Sequence, residues 1–238
     1  VNLAARMLRD PAFDAEAFIR RADPRAFGLD LHWLVHAHGC LEVAKIIKRE
    51  HPDTPVVVGG LSASYFHREL IEAFPQVDYV LRGDSGELPL LQLMRCIEEG
   101  GQPEGVPNLT WRDGSGRGRF NPLSHVPDSL DDFGLDYGEV VRSAVRSLDL
   151  AGHLPSGSWL EYPITAVLTC KGCLHNCVTC GGSRSAYAKV CNRPRPAFKS
   201  PERVVEEIRT IEQYVRAPVF LVGDLRQGGE RYAEEVLK

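Results

Sequence analysis

The chain has 238 residues, of which 43% are apolar and 25% charged, values that are ordinary for a globular protein. Its 28 basic and 32 acidic residues give a formal net charge of -4 and are mixed along the whole length, so no basic block favours nucleic acid or an anionic membrane. No apolar run approaches the roughly 20 residues of a membrane helix, and VNLAARMLRD lacks the regions of a signal peptide. We therefore expect a cytoplasmic protein with no nucleic acid or membrane partner.

Seven cysteines in such a chain indicate metal binding or catalysis, because cytoplasmic thiols are kept reduced and disulfides are rare there. The sequence opens on Val1 and stops on EEVLK within a helical pattern. We therefore expect a segment of a longer protein.

The first half alternates strand and helix patterns. Residues 1–24 read as helix and connector, so the strand expected to open a sheet domain is not evident. AFGLDLHWLV is strand-like, HGCLEVAKIIKREHP is helical and TPVVVGG is a β-branched strand; SYFHRELIEAFP, VDYVLRG and SGELPLLQLMRCIEEGG repeat the alternation. This pattern predicts an α/β fold with a Rossmann-like, doubly wound parallel sheet whose ligand loops follow the carboxyl ends of the strands.

Two of those predicted loops, GGLSAS and RGDSGE, are rich in Gly and hydroxyl or acidic residues. Glycines let a ligand approach the backbone closely, and two such loops at one sheet edge form a pocket for an extended cofactor. For GGxS alone, a tight turn that binds nothing is the simpler interpretation. The candidate ligand residues are Gly59, Gly60, Ser62, Ser64, Gly83, Asp84 and Glu87.

The series GLD, VAKIIKREHPDTPVVVGGLSAS and VDYVLRGDSGELPLLQL, over about residues 26–95, resembles the cobalamin-binding domain that precedes the catalytic domain in many radical S-adenosylmethionine enzymes. The resemblance implies that the seven residues above contact cobalamin. The chain lacks the DxHxxG motif, so no lower His ligand to cobalt is expected from it. His36 and His38 follow a strand, where a place near the corrin or a solvated role are both open.

Residues 101–135 are rich in Pro, Gly, Asp and Ser, and NLTWR and GRFN around DGSG predict a hairpin that we interpret as a modest insertion at 106–121. We assign 1–127 to the cobalamin-binding-like domain and 128–160 to a linker. WLEYPITAVLTC then opens a second domain, 161–238.

Four cysteines, Cys170, Cys173, Cys177 and Cys180, are spaced C-x2-C-x3-C-x2-C. Structural zinc sites usually separate their two knuckles by about 12–20 residues, and a ferredoxin run has its longer gap last, followed by Pro. CLHNCVTC, after the strand ITAVLT and before the helix SPERVVEEIRTIEQY, contains CxxxCxxC and resembles the radical S-adenosylmethionine superfamily. The resemblance implies that Cys173, Cys177 and Cys180 hold a 4Fe-4S cluster with one iron left for S-adenosylmethionine, while Cys170 is spare.

The same resemblance implies where S-adenosylmethionine binds. Thr179 stands where an aromatic residue commonly precedes the last cluster cysteine, and Gly223 and Asp224 stand where a Gly-Gly-Glu-like segment binds the methionine amino group. Asp224 can accept from an ammonium, although a carboxylate that caps the next turn is the alternative.

The resemblance implies a cobalamin-dependent enzyme that cleaves S-adenosylmethionine reductively to a 5'-deoxyadenosyl radical and transfers methyl to an unactivated carbon. It also implies an external electron donor of flavodoxin or ferredoxin type and a small-molecule or peptide substrate. Residues 161–238 would begin a (β/α) partial barrel that is truncated here. The alternatives are a radical enzyme without cobalamin, for rearrangement or methylthio transfer, and a non-enzymatic zinc-binding module.

Overall fold

The computed structural model describes residues 1–146, 154 and 158–238. Residues 147–153 and 155–157 of the predicted linker lie outside the described residues. None of the helices in the described part of the chain is long and apolar enough to span a bilayer.

The helices and strands follow in chain order. The first half contains α1 (Leu3–Arg9), α2 (Ala15–Arg21), β1 (Phe27–Asp30), α3 (Ala37–Glu50), β2 (Val56–Gly59), α4 (Leu61–Tyr65), α5 (His67–Ala73), β3 (Tyr79–Leu81), α6 (Glu87–Glu99), β4 (Leu109–Arg112) and β5 (Gly118–Phe120). The second half contains α7 (Tyr137–Arg146), β6 (Thr165–Leu168), β7 (Cys170–Lys171), α8 (Arg184–Cys191), β8 (Ala197–Phe198), α9 (Pro201–Glu212), β9 (Val219–Val222) and α10 (Glu230–Leu237). Short 3-10 helices cover Leu34–His36, Pro103–Gly105 and Leu225–Gly228.

These elements form two compact units, each of which we describe by itself. The sheet unit comprises Glu16–Pro127 and Gly172–Arg195. The strand-pair unit comprises Val1–Ala15, Asp128–Lys171 and Pro196–Lys238. The domain boundaries expected from the sequence stay a prediction.

The sheet unit contains one five-stranded sheet in the order β1-β2-β3-β4-β5. Its first three strands are parallel, with Phe27 opposite Val56 and Val57 opposite Tyr79. The α/β fold with a parallel sheet is therefore confirmed. The described strands follow chain order across this sheet, so the reversal of strand order that defines a doubly wound sheet is not seen among them.

The predicted hairpin forms, but it is part of the sheet and not the modest insertion that we expected. β4 pairs antiparallel with β3, with Val80 opposite Thr110, and β5 pairs with β4. The turn is held by Asp113, whose carboxylate accepts from the Ser115 hydroxyl at 2.6 Å and the Arg117 N–H at 3.0 Å. These hydrogen bonds lower the pKa of Asp113 from its ordinary value.

The helix predictions are confirmed for α1, α2, α3 and α6, while two other segments differ. β1 ends at Asp30, where AFGLDLHWLV was expected to continue as a strand. Leu31 makes the last bond to β2 by donating to the Gly59 carbonyl at 2.7 Å, and Leu34–His36 then form a 3-10 helix. The single helix predicted over SYFHRELIEAFP divides at Phe66 into α4 and α5. Helix α8 was not predicted.

Apolar burial explains why the sheet forms. The β-branched run Val56–Val58 is almost completely buried, as expected for a strand covered on both faces. Beneath α6, Leu93 packs in one cluster with Val57, Leu109 and Trp111. Full burial of one such side chain contributes about 1.5–3 kcal/mol to stability.

The strand-pair unit contains the parallel pair β6 and β9, with Val167 opposite Leu221, which confirms the strands predicted in ITAVLT and PVFLVGDL. Val204 and Ile211 of α9 and Val236 of α10 pack with Val167 in its apolar cluster. The short strands β7 and β8 pair antiparallel.

We expect Gly60→Ala to lower the free energy of unfolding by about 3 kcal/mol, because an added Cβ would be strained and overpacked. Gly60 has φ +108°, and a Cβ there would lie 2.6 Å from the backbone carbon of Leu31. Urea unfolding of the full-length protein measures the change. The control is Gly39→Ala in the first turn of α3, where a Cβ meets nothing within 4 Å and stability should not fall. Equal stability of Gly60→Ala and the wild type would contradict the prediction.

Candidate functional site

The two Gly-rich loops are joined by a buried hydroxyl. Ser64 on α4 donates to the Gly60 carbonyl at 2.8 Å, and its oxygen accepts from the Gly83 N–H at 2.9 Å. On the preceding turn, Ser62 donates to the His32 carbonyl at 2.9 Å. The structure therefore brings Gly60, Ser62, Ser64 and Gly83 together at the carboxyl ends of β2 and β3, and the serine hydroxyls bond to protein backbone.

Asp84, the acidic residue of the RGDSGE loop, lies in a buried ion pair. Its carboxylate accepts from Arg193 Nε at 2.5 Å and Nη2 at 3.2 Å, and the two side chains are only 7% and 2% exposed. Arg193 Nη1 also donates to the Pro127 carbonyl at 2.8 Å. Glu87, by contrast, is exposed in the first turn of α6. Sequence reasoning missed Arg193, since no local pattern around it points to a partner 109 residues away.

The three predicted cluster cysteines lie in an accessible loop before α8. Cys173 is partly buried, whereas Cys177 and Cys180 are exposed. The loop is held from both sides, because the Arg184 N–H donates to the His175 carbonyl at 2.8 Å and the Ser185 hydroxyl donates to Asn176 at 2.6 Å. Among the described residues, no three His, Cys, Asp or Glu side chains converge as a metal site.

The chemistry of this donor set nevertheless fits an iron-sulfur cluster. Three soft thiol ligands stand within one accessible loop, and thiolates are the usual cluster ligands. The remaining cysteines are less suited to be cluster ligands. Burial and the nearby Asp30 carboxylate raise the pKa of Cys40 to about 11, and burial also raises the pKa of Cys96. Cys170 and Cys191 are buried.

A cavity of about 690 Å³ lies within the sheet unit and has two walls. One wall comes from the loop after β1 and from α4, and the other from the cysteine loop and α8. The lining residues are mainly apolar or aromatic, and three of them, Ser62, Thr179 and Cys180, were candidates from the sequence. Trp33, Tyr65 and Tyr187 were missed, because the sequence placed Trp33 within the predicted strand and the two tyrosines on segments without a motif. His36, His38 and Asp84 are not among the lining residues.

Gly223 and Asp224 follow β9 in the strand-pair unit. The Val222 carbonyl accepts from the Thr169 N–H at 2.9 Å and the Thr169 hydroxyl at 3.1 Å, which fixes the peptide before Gly223. Gly223 has φ +128°, and a Cβ there would lie 2.7 Å from the sulfur of Cys170. Asp224 accepts from Arg226 at its backbone N–H and its guanidinium, so the capping role that the sequence left open is observed.

Comparison with known proteins finds that the B12 binding domain family matches residues 3–91. An uncharacterized methyltransferase from Pyrococcus horikoshii is 27% identical over 82% of this chain and 38% of its own length. The hopanoid C-3 methylase of Methylococcus capsulatus is 25% identical over 87% of this chain and 36% of its own length. The chain thus spans little more than a third of each relative.

Solved structures share the fold. The radical S-adenosylmethionine methyltransferase TsrM from Kitasatospora setae, with tryptophan and a S-adenosylmethionine analogue bound, gives a TM-score of 0.64 at 18% identity and covers 99% of this chain and 42% of that one. The cobalamin-dependent S-adenosylmethionine radical enzyme OxsB gives 0.61 at 15% identity, over 92% of this chain and 29% of that one. The family match confirms the resemblance of residues 3–91 to B12-binding domains, and the solved structures confirm the fold.

We expect Arg193→Met to lower the free energy of unfolding by about 3–5 kcal/mol, because it leaves the buried Asp84 carboxylate without its partner. Urea unfolding of the full-length protein measures this loss. The control is Arg226→Met, which breaks the exposed pair with Asp224 and should cost at most about 1 kcal/mol. The double variant Asp84→Ala, Arg193→Met should cost less than the two single variants added together. Equal losses for Arg193→Met and Arg226→Met would contradict the buried pair.

Proposed function

We propose that the protein containing this chain is a cobalamin-dependent radical S-adenosylmethionine enzyme of the cytoplasm that transfers a methyl group to an unactivated carbon. The observation that carries the proposal is the cavity of about 690 Å³, since the strand-end elements of the B12-binding region form one wall and the cysteine loop forms the other. Two cofactors that must react together can meet there. The methyltransferase and methylase names of the sequence relatives support the same activity.

The cobalamin side of the cavity is built mainly from apolar and aromatic residues. Trp33 and Leu34 after β1, with Tyr65 and Phe66 beside α4, offer apolar and aromatic surface suited to a large macrocycle. Gly59 and Gly60 keep the carboxyl end of β2 free of side-chain bulk. Gly83 and Glu87 complete the proposed cobalamin residues, whereas Asp84 acts by holding its loop to Arg193.

Cys173, Cys177 and Cys180 hold the 4Fe-4S cluster in this proposal, and Thr179 lies beside S-adenosylmethionine. Three protein ligands leave one iron open to a small chelating molecule. Together the bound cofactors would supply a carbon radical and a transferable methyl group. Thr169 fixes the backbone before Gly223. Asp224 would accept from the methionine ammonium while it stays paired with the Arg226 guanidinium. These residues would begin a (β/α) partial barrel.

A second candidate keeps the radical chemistry but replaces methyl transfer with another reaction. The anaerobic magnesium-protoporphyrin IX monomethyl ester cyclase of Rubrivivax gelatinosus, 21% identical over 76% of this chain, favours that possibility. Product analysis with methyl-labelled S-adenosylmethionine distinguishes the two, because only methyl transfer carries the label into the substrate.

We expect Cys173→Ala, Cys177→Ala and Cys180→Ala each to abolish a stable cluster, since each removes one of only three protein ligands. Iron and sulfide per chain after anaerobic reconstitution of the full-length protein measure this loss. Cys170→Ala and Cys40→Ala are matched controls and should keep nearly all of the iron, because the first thiol is buried under Gly223 and the second stays protonated.

Two results would contradict this assignment. Loss of iron in Cys170→Ala as complete as in the other three would mean four protein ligands and no open iron. Stoichiometric zinc that resists exchange would instead support the zinc-binding module.

We expect Trp33→Ala to weaken cobalamin binding about 10-fold or more, because it removes a large apolar surface from the cavity wall. Absorbance titration of the full-length protein measures the dissociation constant. The control is Trp159→Ala, which lies outside the sheet unit and should leave the affinity unchanged. If Trp33→Ala binds cobalamin as tightly as the wild type, the corrin lies elsewhere.

A further inference from the structure

Charge is distributed unevenly around the cysteine loop. Between Tyr162 and Pro201 the sequence contains six basic residues and no Asp or Glu, so the expectation that charges mix along the whole length fails here. Of the 28 basic and 32 acidic residues in the chain, 22 basic and all 32 acidic ones lie outside this acid-free segment. The segment is therefore strongly positive in a chain that is otherwise strongly negative.

Two of the six charges are neutralised by buried carboxylates. Arg193 pairs with Asp84, and Lys199 pairs with Glu207 at 2.5 Å, where both side chains are less than a tenth exposed. Arg184, Lys189 and Arg195 differ, because all three are exposed. Within the described ranges, no carboxylate lies at ion-pairing distance from these three side chains. We call Arg184, Lys189 and Arg195 the basic set.

The basic set belongs to the same compact unit as the cysteine loop. Arg184 is the residue whose N–H bonds to His175, Lys189 lies later on α8, and Arg195 follows the helix. The loop itself exposes apolar side chains, since Leu174 is 46% exposed and Val178 is fully exposed. Lys189 also donates to the Tyr65 hydroxyl at 3.4 Å. Exposed apolar side chains together with polar or charged groups are the usual composition of a protein interface.

We propose that the cysteine loop and the basic set form the docking surface for a small acidic electron-transfer protein. The inference rests on the proposed function, because the loop must hold a cluster that gains electrons from outside. The donor loses one electron and the oxidised cluster gains it, with no group transferred. Complementary charge steers such short-lived encounters, and the negative remainder of the chain repels an acidic donor from other surfaces.

The test uses the reconstituted full-length protein and a reduced, acidic flavodoxin as the probe donor. The test variant reverses the charges of the basic set with Arg184→Glu, Lys189→Glu and Arg195→Glu. The control variant reverses the charges of three exposed arginines of the strand-pair unit, with Arg209→Glu, Arg216→Glu and Arg231→Glu. Stopped-flow bleaching of the cluster absorbance gives the rate of reduction at low and high salt. A parallel arm uses the reduced methyl viologen cation, which needs no docking surface.

We expect reversal of the basic set to slow reduction by flavodoxin about 10-fold or more at low salt and to remove most of its salt dependence. The control variant should behave as the wild type, and reduction by methyl viologen should not slow in any variant. A neutral variant with Arg184→Gln, Lys189→Gln and Arg195→Gln should be reduced by flavodoxin at a rate between those of the wild type and the reversed variant. It tests the proposal if charge reversal impairs folding.

Equal rates with flavodoxin for the reversed variant and the wild type would overturn the docking surface. So would a reversal that abolishes binding of single-stranded DNA while leaving reduction by flavodoxin unchanged, since the surface would then serve a nucleic acid. Failure of the proposed function has a different signature, because the wild type would then form no cluster that methyl viologen can reduce.

Discussion

The buried ion pair between Asp84 and Arg193 is the constraint on which the site depends. Removing two charges from water costs several kcal/mol per ion, and that cost is offset only when geometry and further hydrogen bonds are good. Here the guanidinium makes two bonds to Asp84 and a third to the Pro127 carbonyl. The pair therefore ties the end of α8 to the loop after β3, across 109 residues of sequence.

This ion pair helps to determine where the cysteine loop lies. Helix α8 is capped at its start by Ser183 and ends at Asn192, whose left-handed conformation, φ 53°, and bond to the Leu123 carbonyl turn the chain toward Arg193. The helix packs against α4 in the same unit. With the helix anchored in this way, the loop before it lines the cavity that α4 borders. One long-range pair thus positions two segments whose local sequences say nothing about each other.

This distinction explains which features the sequence predicts. Periodicity identified β2, α3, α6, α9 and the pair β6 and β9, because each depends on its own pattern of buried residues. The predicted continuation of β1 beyond Asp30 was wrong, since the chain leaves the sheet after Leu31 and forms a 3-10 helix at Leu34–His36. The cysteine motif was readable because its spacing is local. Arg193, Tyr65 and Tyr187 were not, because each acquires its role only through a neighbour that is distant in sequence.

The two units fix the backbone after their parallel strands in similar ways. In the sheet unit, the Ser64 hydroxyl fixes the backbone at Gly60 and Gly83; in the strand-pair unit, the Thr169 hydroxyl fixes the carbonyl before Gly223. In both places a buried hydroxyl is used within the protein, and a glycine with positive φ comes close to neighbouring atoms. Such loops offer a ligand mainly their backbone shape, because their small polar side chains already have partners. Keeping this shape requires glycine and a hydroxyl, whereas the neighbouring cavity is lined mainly by apolar and aromatic side chains.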